Sequence, residues 1–279
     1  MPISKLKNLI ILILLAATGF LLALVVPNKL AQSRQKQAQH RELISLFSSY
    51  GIALSEQILP QEQTLYTVEL PNTQSCGSAL AAALFENPVL MQDAASRENC
   101  TFTDQNGNLS YDSGGHLRVT LRQSEEVSSL KSGAKKILKT LDYPVASVSE
   151  PERISAGVFC VNAQELLFDV PVFSEPLCLT YTNQRLSRID GIFFGGAKDA
   201  VRVDNTPCIS CADALVALLS KRDQIGWVGS SVLSVRQGYR RVDTASSSIR
   251  MSPCWRIVTD AGSFYVGGIT GEITGIETG

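Results

Sequence analysis

The sequence predicts an α+β protein, in which an N-terminal transmembrane helix precedes repeated units of one helix and an antiparallel meander. Three observations lead to this prediction. An uncharged apolar run occupies residues 9–26, and helix-forming segments with one apolar face recur three times after it. Each of these segments is followed by short β-rich runs separated by turn residues. Helices laid on antiparallel sheets are typical of the α+β class.

The first element is the run from Leu9 to Val26, which has 18 residues, no charge, and Thr18 as its one polar side chain. At about 1.5 Å per residue, such a helix just crosses a hydrocarbon layer of roughly 30 Å. The run is too long for the core of a cleavable signal peptide and no suitable cleavage site follows it, so we expect an uncleaved anchor. Residues 1–8 would be a short cytoplasmic tail, and residues 27–51 a helical stalk.

Two features predict that the bulk of the chain is extracytoplasmic. A leading hydrophobic segment acts as a signal anchor, and a long domain after it is translocated largely regardless of its charge. The chain also has seven cysteines, which is more usual in an oxidising compartment than in the cytoplasm. We therefore expect a single-pass protein of the cell membrane with a cytoplasmic N-terminus. The alternative, several buried and inert thiols, stays open at this point.

Beyond the stalk, the sequence divides into three predicted α+β units at residues 52–125, 126–200 and 201–279. A short strand is expected at Leu65–Leu70, before the first unit's helix. The three helices are expected at Cys76–Phe85, Leu130–Leu141 and Cys208–Lys221. The meander strands are expected at residues 101–103, 109–112, 117–122, 157–164, 172–182, 186–194, 231–242, 254–259 and 263–269. Whether the units form one, two or three domains is left open.

Composition and motifs argue against most enzyme classes. The 25 basic and 26 acidic side chains nearly cancel, so a nucleic-acid partner is not expected. The chain has two histidines, His40 and His116, and neither has a second metal-binding residue at ligand spacing. We therefore predict no metal site, no cofactor, no catalytic residues and no enzymatic activity.

The one motif with possible chemistry is Cys208-Ile209-Ser210-Cys211 at a predicted helix start. A helix N-terminus lowers the pKa of a thiol, and this C-x-x-C spacing is that of dithiol exchange enzymes. However, the residues before the motif are polar, whereas a thioredoxin-like site follows directly on a strand. A structural disulfide, or two thiols of which one packs inward, is therefore the favoured interpretation of Cys208 and Cys211.

A second candidate disulfide joins Cys160 and Cys178, which lie at equal distances along the chain from Asp169. If Asp169 is the centre of a hairpin loop, the two cysteines face each other across the ladder. Their Cβ atoms would then lie near the separation that a disulfide requires. A shift of one residue would instead place them on opposite faces of the sheet.

The C-terminal stretch carries a resemblance to a known family. Pro253-Cys-Trp255, a turn ending in Gly262, the aromatic pair Phe264-Tyr265 and Thr270-Gly-Glu272 occur in this order. This order resembles that of extracytoplasmic regulators of the YycH/YycI type, and is related to the end of PepSY-like domains. The basic N-terminal tail, Tyr50-Gly51-Ile52 and Val170–Phe173 are also similar to that family. Independently of the resemblance, the aromatic residues of this stretch are typical of a packed sheet face.

The resemblance implies a function without catalytic residues. Members of the family bind and modulate the membrane sensor histidine kinase of the cell-wall-controlling WalK/WalR two-component system, partly through their membrane helices. We therefore predict a membrane-anchored extracytoplasmic regulator that contacts the membrane through Leu9–Val26. Its expected partner is a membrane sensor histidine kinase or a related regulator of the same family. Two alternatives remain: an extracytoplasmic thiol-disulfide protein that uses Cys208 and Cys211, or a PepSY-like module that binds an exported hydrolase.

Overall fold

A computed structural model of the chain describes residues 37–70, 74–91, 99–195, 200–242 and 249–278. Helix α1 is described over residues 37–49, and a 3₁₀ turn follows at Glu56–Ile58. The other helices are α2 (Gln74–Leu84), α3 (Leu130–Thr140) and α4 (Cys211–Ser220). The strands are β1 (Val68–Leu70), β2 (Val89–Met91), β3 (Asn99–Asp104), β4 (Gly107–Asp112), β5 (His116–Leu121), β6 (Val145–Val148), β7 (Glu152–Ser155), β8 (Val158–Leu167), β9 (Val170–Pro171), β10 (Leu177–Thr182), β11 (Arg185–Ile192), β12 (Val201–Arg202), β13 (Val232–Val242), β14 (Ile249–Thr259), β15 (Gly262–Gly267) and β16 (Ile273–Thr278).

The prediction of an α+β protein built from repeated helix-plus-meander units is wrong, because the structure is mostly β-sheet. In the described ranges, sixteen strands accompany four helices, and the strands form two large sheets. Strands from different predicted units pair with each other: β5 lies beside β11, and β1 lies beside β14. The sequence pattern located most of the strands but could not show these long-range pairings. Because of these pairings, the fold is organised as two sheets and not as three successive units.

The predicted transmembrane helix, Leu9–Val26, lies outside the described residues. None of the helices within the described ranges is both long enough and apolar enough to cross a membrane. The structure therefore does not support the prediction of a single-pass membrane protein.

The larger sheet is antiparallel and runs in the order β2-β3-β4-β5-β11-β10-β8-β6, with β7 and β9 also paired to β8. Along its central strands, side chains alternate between the core and the other face, as in β4, where Leu109 and Tyr111 are buried. Helix α3 covers part of the buried face with Ala134 and Leu138, and Ser129 caps its N-terminus. This packing explains the apolar spacing of α3, whose lysines lie on its other side.

The smaller sheet runs in the order β12-β1-β14-β15-β16. Strand β13 pairs with β14 from Arg250 to Thr259, along the edge of β14 opposite to β1 and β15. Trp255 and Phe264 lie in one core with α1 and α4, which contribute Phe47 and Leu215. Trp255 is fully buried, and its indole N–H donates to the carbonyl of Ile209 at 3.0 Å. One face of this sheet is therefore closed by helices.

The two sheets are joined at the turn between β8 and β10. Val172 forms a parallel bridge with Tyr239 of β13, and the N–H of Phe173 donates to the Tyr239 carbonyl at 2.7 Å. Gly238 permits this approach, since a Cβ atom there would lie 2.2 Å from the carbonyl oxygen of Pro171. The turn thus holds the end of β8 against the face of the smaller sheet that α1 and α4 leave uncovered.

Candidate functional site: a cleft between the two sheets

The structure places a disulfide between Cys160 of β8 and Cys178 of β10. Their Cα atoms are 6.0 Å apart, which is within the usual range for a disulfide. The register differs from the one inferred from the sequence, because Cys160 pairs with Thr180 and Asn162 pairs with Cys178. The two cysteines are therefore diagonal neighbours on one face rather than directly opposed residues.

Cys208 and Cys211, the other candidate pair, are both free thiols in the structure. Helix α4 begins at Cys211, and Ser210 and Asp213 form a capping box around its first turn. The Cys211 N–H donates to a carboxylate oxygen of Glu62 at 2.6 Å. Two carboxylates thus already occupy the helix N-terminus that would otherwise stabilise a thiolate.

The surroundings of these thiols oppose ionisation. Burial, and to a smaller extent the Glu62 carboxylate, raise the pKa of the Cys211 thiol to about 12. Burial also raises the pKa of the Cys208 thiol. Because the thiolate is the reactive form, this environment is that of inert structural cysteines. In the described ranges, moreover, no group of three His, Cys, Asp or Glu side chains could hold a metal ion.

A cleft runs between the larger sheet and the uncovered face of the smaller sheet. It consists of two adjoining depressions, of about 300 Å³ and about 360 Å³, which share Ser147 and Gln164 as lining residues. Strand β6 and the polar side of β8 form one wall. The opposite wall carries Arg236 and Gln237 of β13 in the first depression, and Arg256 of β14 and Tyr265 of β15 in the second.

The rim of the first depression is fixed by two hydrogen bonds. The Gln63 N–H donates to the side-chain oxygen of Gln237 at 2.8 Å, and the Gln237 side-chain nitrogen donates to the Gln63 carbonyl at 2.9 Å. The side chain of Gln237 therefore pairs with the backbone of residue 63 as a neighbouring strand would. Pro60 and Gln61, which lie just before this contact, line the cleft.

The wall of the smaller sheet carries a row of large polar residues. Arg236 pairs with Arg256 across β13 and β14, and Arg256 pairs with Tyr265 across β14 and β15. The Tyr265 hydroxyl donates to Glu277 at 2.9 Å, and a guanidinium nitrogen of Arg256 lies 3.6 Å from the same carboxylate. Tyr265 thus lies on the face opposite to Trp255 and Phe264.

Sequence reasoning did not identify this cleft. Of its lining residues, the sequence singled out Tyr265, as part of a packed sheet face, and Val170, Pro171 and Phe173, as part of the family resemblance. The alternation of Arg236, Gly238 and Arg240 along β13 is the one signal that could have marked a basic sheet face. To interpret this alternation as a basic sheet face, one must know that β13 pairs with β14, and the sequence did not show this pairing.

No known family model matches the chain, and no curated protein matches it. The solved structures that match the chain include two that cover most of its length. An uncharacterized protein from Eubacterium rectale ATCC 33656 has a TM-score of 0.48 and 11% identity, over 78% of this chain and 81% of its own. The C-terminal domain of Bacillus megaterium YpeB has a TM-score of 0.41 and 14% identity, over 74% of this chain and 97% of its own. Both TM-scores are below 0.5, so neither match supports an argument about family or function.

Proposed function

We propose that the protein is a non-enzymatic regulator that acts by binding another protein in the extracytoplasmic space. The observation that carries this proposal is the cleft between the two sheets. Its walls offer side-chain amides, hydroxyls and guanidinium groups around an elongated space, with apolar patches at Leu166 and Phe173. Such a mixture suits recognition of a polypeptide, which needs both hydrogen-bonding groups and apolar contact.

The partner proposed here is a sensor histidine kinase of a cell-wall-related two-component system. This part rests on the order of sequence motifs that resembles YycH/YycI-type regulators. An exported hydrolase, as implied by the PepSY-like resemblance, would use the same cleft and is the competing outcome of the test below.

The disulfide between Cys160 and Cys178 supports the extracytoplasmic location. Disulfides persist in oxidising compartments and are rare in a reducing cytoplasm. By contrast, thiol-disulfide exchange through Cys208 and Cys211 receives no support from the structure, because burial raises the pKa of both thiols.

The test is affinity purification of the tagged full-length protein from its host after crosslinking, combined with a measurement of kinase output. Ser147→Trp fills the centre of the cleft and should reduce both partner recovery and the regulatory effect. Thr120→Trp is the matched control, because Thr120 is an exposed residue of β5, four strands from β6 in the same sheet.

Recovery of a sensor kinase that depends on Ser147 but not on Thr120 would support the proposal. Recovery of an exported hydrolase with the same dependence would replace the kinase as partner. Recovery of mixed disulfides through Cys208, or unchanged kinase output when the protein is removed, would overturn the regulatory function.

A further inference from the structure

Two arginines face the cleft without a full set of partners. Arg236 and Arg256 are directly paired across β13 and β14, and like charges in this position are destabilising. Arg236 is exposed and has no ion-pair partner within the described residues. Within the described residues, Glu277 forms an ion pair with one member of this pair, Arg256.

The partners of Arg256 do not use the full hydrogen-bonding capacity of its guanidinium group. The guanidinium forms an ion pair with Glu277 at 3.6 Å, donates a hydrogen bond to the Ser263 hydroxyl at 3.4 Å, and lies 5.9 Å from the centroid of the Tyr265 ring. The two polar contacts both exceed the roughly 2.7–2.9 Å that is usual for a charge-assisted hydrogen bond. The guanidinium is therefore held in place but is able to bind a closer carboxylate.

A third arginine adds to the positive charge of this sheet face. The guanidinium of Arg240 lies over the Tyr265 ring, 4.7 Å from its centroid, and donates to the Thr274 carbonyl at 2.8 Å. Glu277 is the acidic residue among the side chains that line the second depression. Near the cleft, this face thus carries Arg236, Arg240 and Arg256 together with Glu277, and the excess of positive charge favours an anionic ligand.

The opposite wall provides a sheet edge. Strand β6 is the last strand of the larger sheet, and in the described residues it pairs with β8 alone. Ala146 and Ser147, at its centre, are exposed and line the cleft. An edge strand can pair with an extended peptide through its main chain, while neighbouring pockets select the side chains.

We infer that the cleft binds an extended, acidic polypeptide segment of the partner, with its carboxylates on Arg236 and Arg256 and its backbone beside β6. This inference rests on the proposed function and names the ligand class of the same cleft. A glycan is a poorer match, because Tyr265, the aromatic residue of the basic wall, is 5% exposed and offers no open ring for a sugar to stack on.

The experiment measures binding of a fluorescent, end-blocked peptide of alternating Thr and Glu to the full-length protein by anisotropy. Matched peptides carry Gln or Lys in place of Glu. We expect the acidic peptide to bind best and its affinity to fall as salt is added. Arg236→Gln and Arg256→Gln should each weaken binding by about tenfold, the loss expected for one charged contact. Arg122→Gln is the matched control, because Arg122 is an exposed residue that directly follows β5.

Arg256→Lys distinguishes loss of the charge from a folding defect. It keeps the positive charge and should therefore retain part of the affinity that Arg256→Gln loses. Equal binding of the Glu and Gln peptides, or equal loss in the Arg122 control, would overturn the inference. So would binding of a cell-wall glycan fragment in preference to every peptide. The arginine variants could fail to bind the peptide and yet still co-purify with the partner and alter kinase output as the wild type does. In that case the inference fails while the proposed function stands.

Discussion

The side-chain amide of Gln237 and the backbone of Gln63 form a pair of hydrogen bonds, at 2.8 Å and 2.9 Å, across 174 residues of sequence. This pair replaces a strand-to-strand contact at the end of the cleft. Because Gln237 is buried and Gln63 is exposed, the contact ties a surface segment to the sheet.

We expect Gln237→Leu to lower the free energy of unfolding by about 1–2 kcal/mol, because two hydrogen bonds are lost while water can satisfy the exposed Gln63 backbone. Urea denaturation measures this change. Hydrogen exchange at the Gln63 N–H should accelerate more than exchange in the core strands. Gln123→Leu, at an exposed position, is the control and should change neither quantity. An unchanged exchange rate at Gln63 would contradict this account of the rim.

The disulfide between Cys160 and Cys178 should stabilise the protein. Because the two cysteines are separated by 18 positions in the sequence, removal of the bond should cost about 3 kcal/mol, since the unfolded chain gains freedom. Denaturation with and without a reductant measures the effect in the wild type. The double variant Cys160→Ala/Cys178→Ala should be insensitive to the reductant. A free Cys160 thiol in peptide maps of the non-reduced protein would rule the bond out.

Asp260 should make stability depend on acid pH. The N–H and hydroxyl of Ser230 bond to its carboxylate, and they lower its pKa from 3.8 to about 2. A lowered pKa in the folded state stabilises the protein above the unfolded pKa, and this contribution is lost as the pH falls towards 2. Asp260→Asn should therefore lower the melting temperature at neutral pH.

The difference between wild type and Asp260→Asn should shrink as the pH falls through the interval between 3.8 and 2. Asp223→Asn, at an exposed position, serves as the control, with little effect at any pH. A difference that stays constant from neutral to acid pH would show that ionisation of Asp260 is not involved.

Cys211 should resist alkylation in the native protein. Burial raises the pKa of its thiol to about 12, and the thiolate is the reactive species. We expect slow modification by iodoacetamide at neutral pH and rapid modification once the protein is unfolded in guanidinium. Mass spectrometry of the labelled peptides reads both rates. Fast native labelling of Cys211 would revive the thiol-disulfide alternative.

Local features of the fold were accessible from the sequence, whereas its long-range pairings were not. The apolar spacing of Leu130, Ala134 and Leu138 predicted α3 almost to its observed bounds. The start of α4 was placed too early, because the capping box of Ser210 and Asp213 was not recognised. Strands such as β2 and β6 were missed, since they are short and lack a clear alternation.

The cleft could not be predicted because it is formed by residues that are far apart in the sequence, and a local sequence pattern does not show such contacts. Arg236 and Arg256 are 20 residues apart in the sequence, and their pairing requires the register of β13 on β14. Cys160 and Cys178 lie diagonally across β8 and β10, because the pairing of these strands is centred one residue later than Asp169. A small shift of register therefore decides which side chains are opposed.

The most direct test of the account is photocrosslinking from the cleft in the host, with a benzophenone amino acid in place of Ser147 of the full-length protein. Ser147 lines both depressions, so a partner segment in the cleft must pass within reach of it. We predict an adduct with a sensor histidine kinase from position 147 and none from position 120. Adducts at position 120 alone, or no protein adduct at 147 while the regulatory effect persists, would contradict the claim that the protein acts through this cleft.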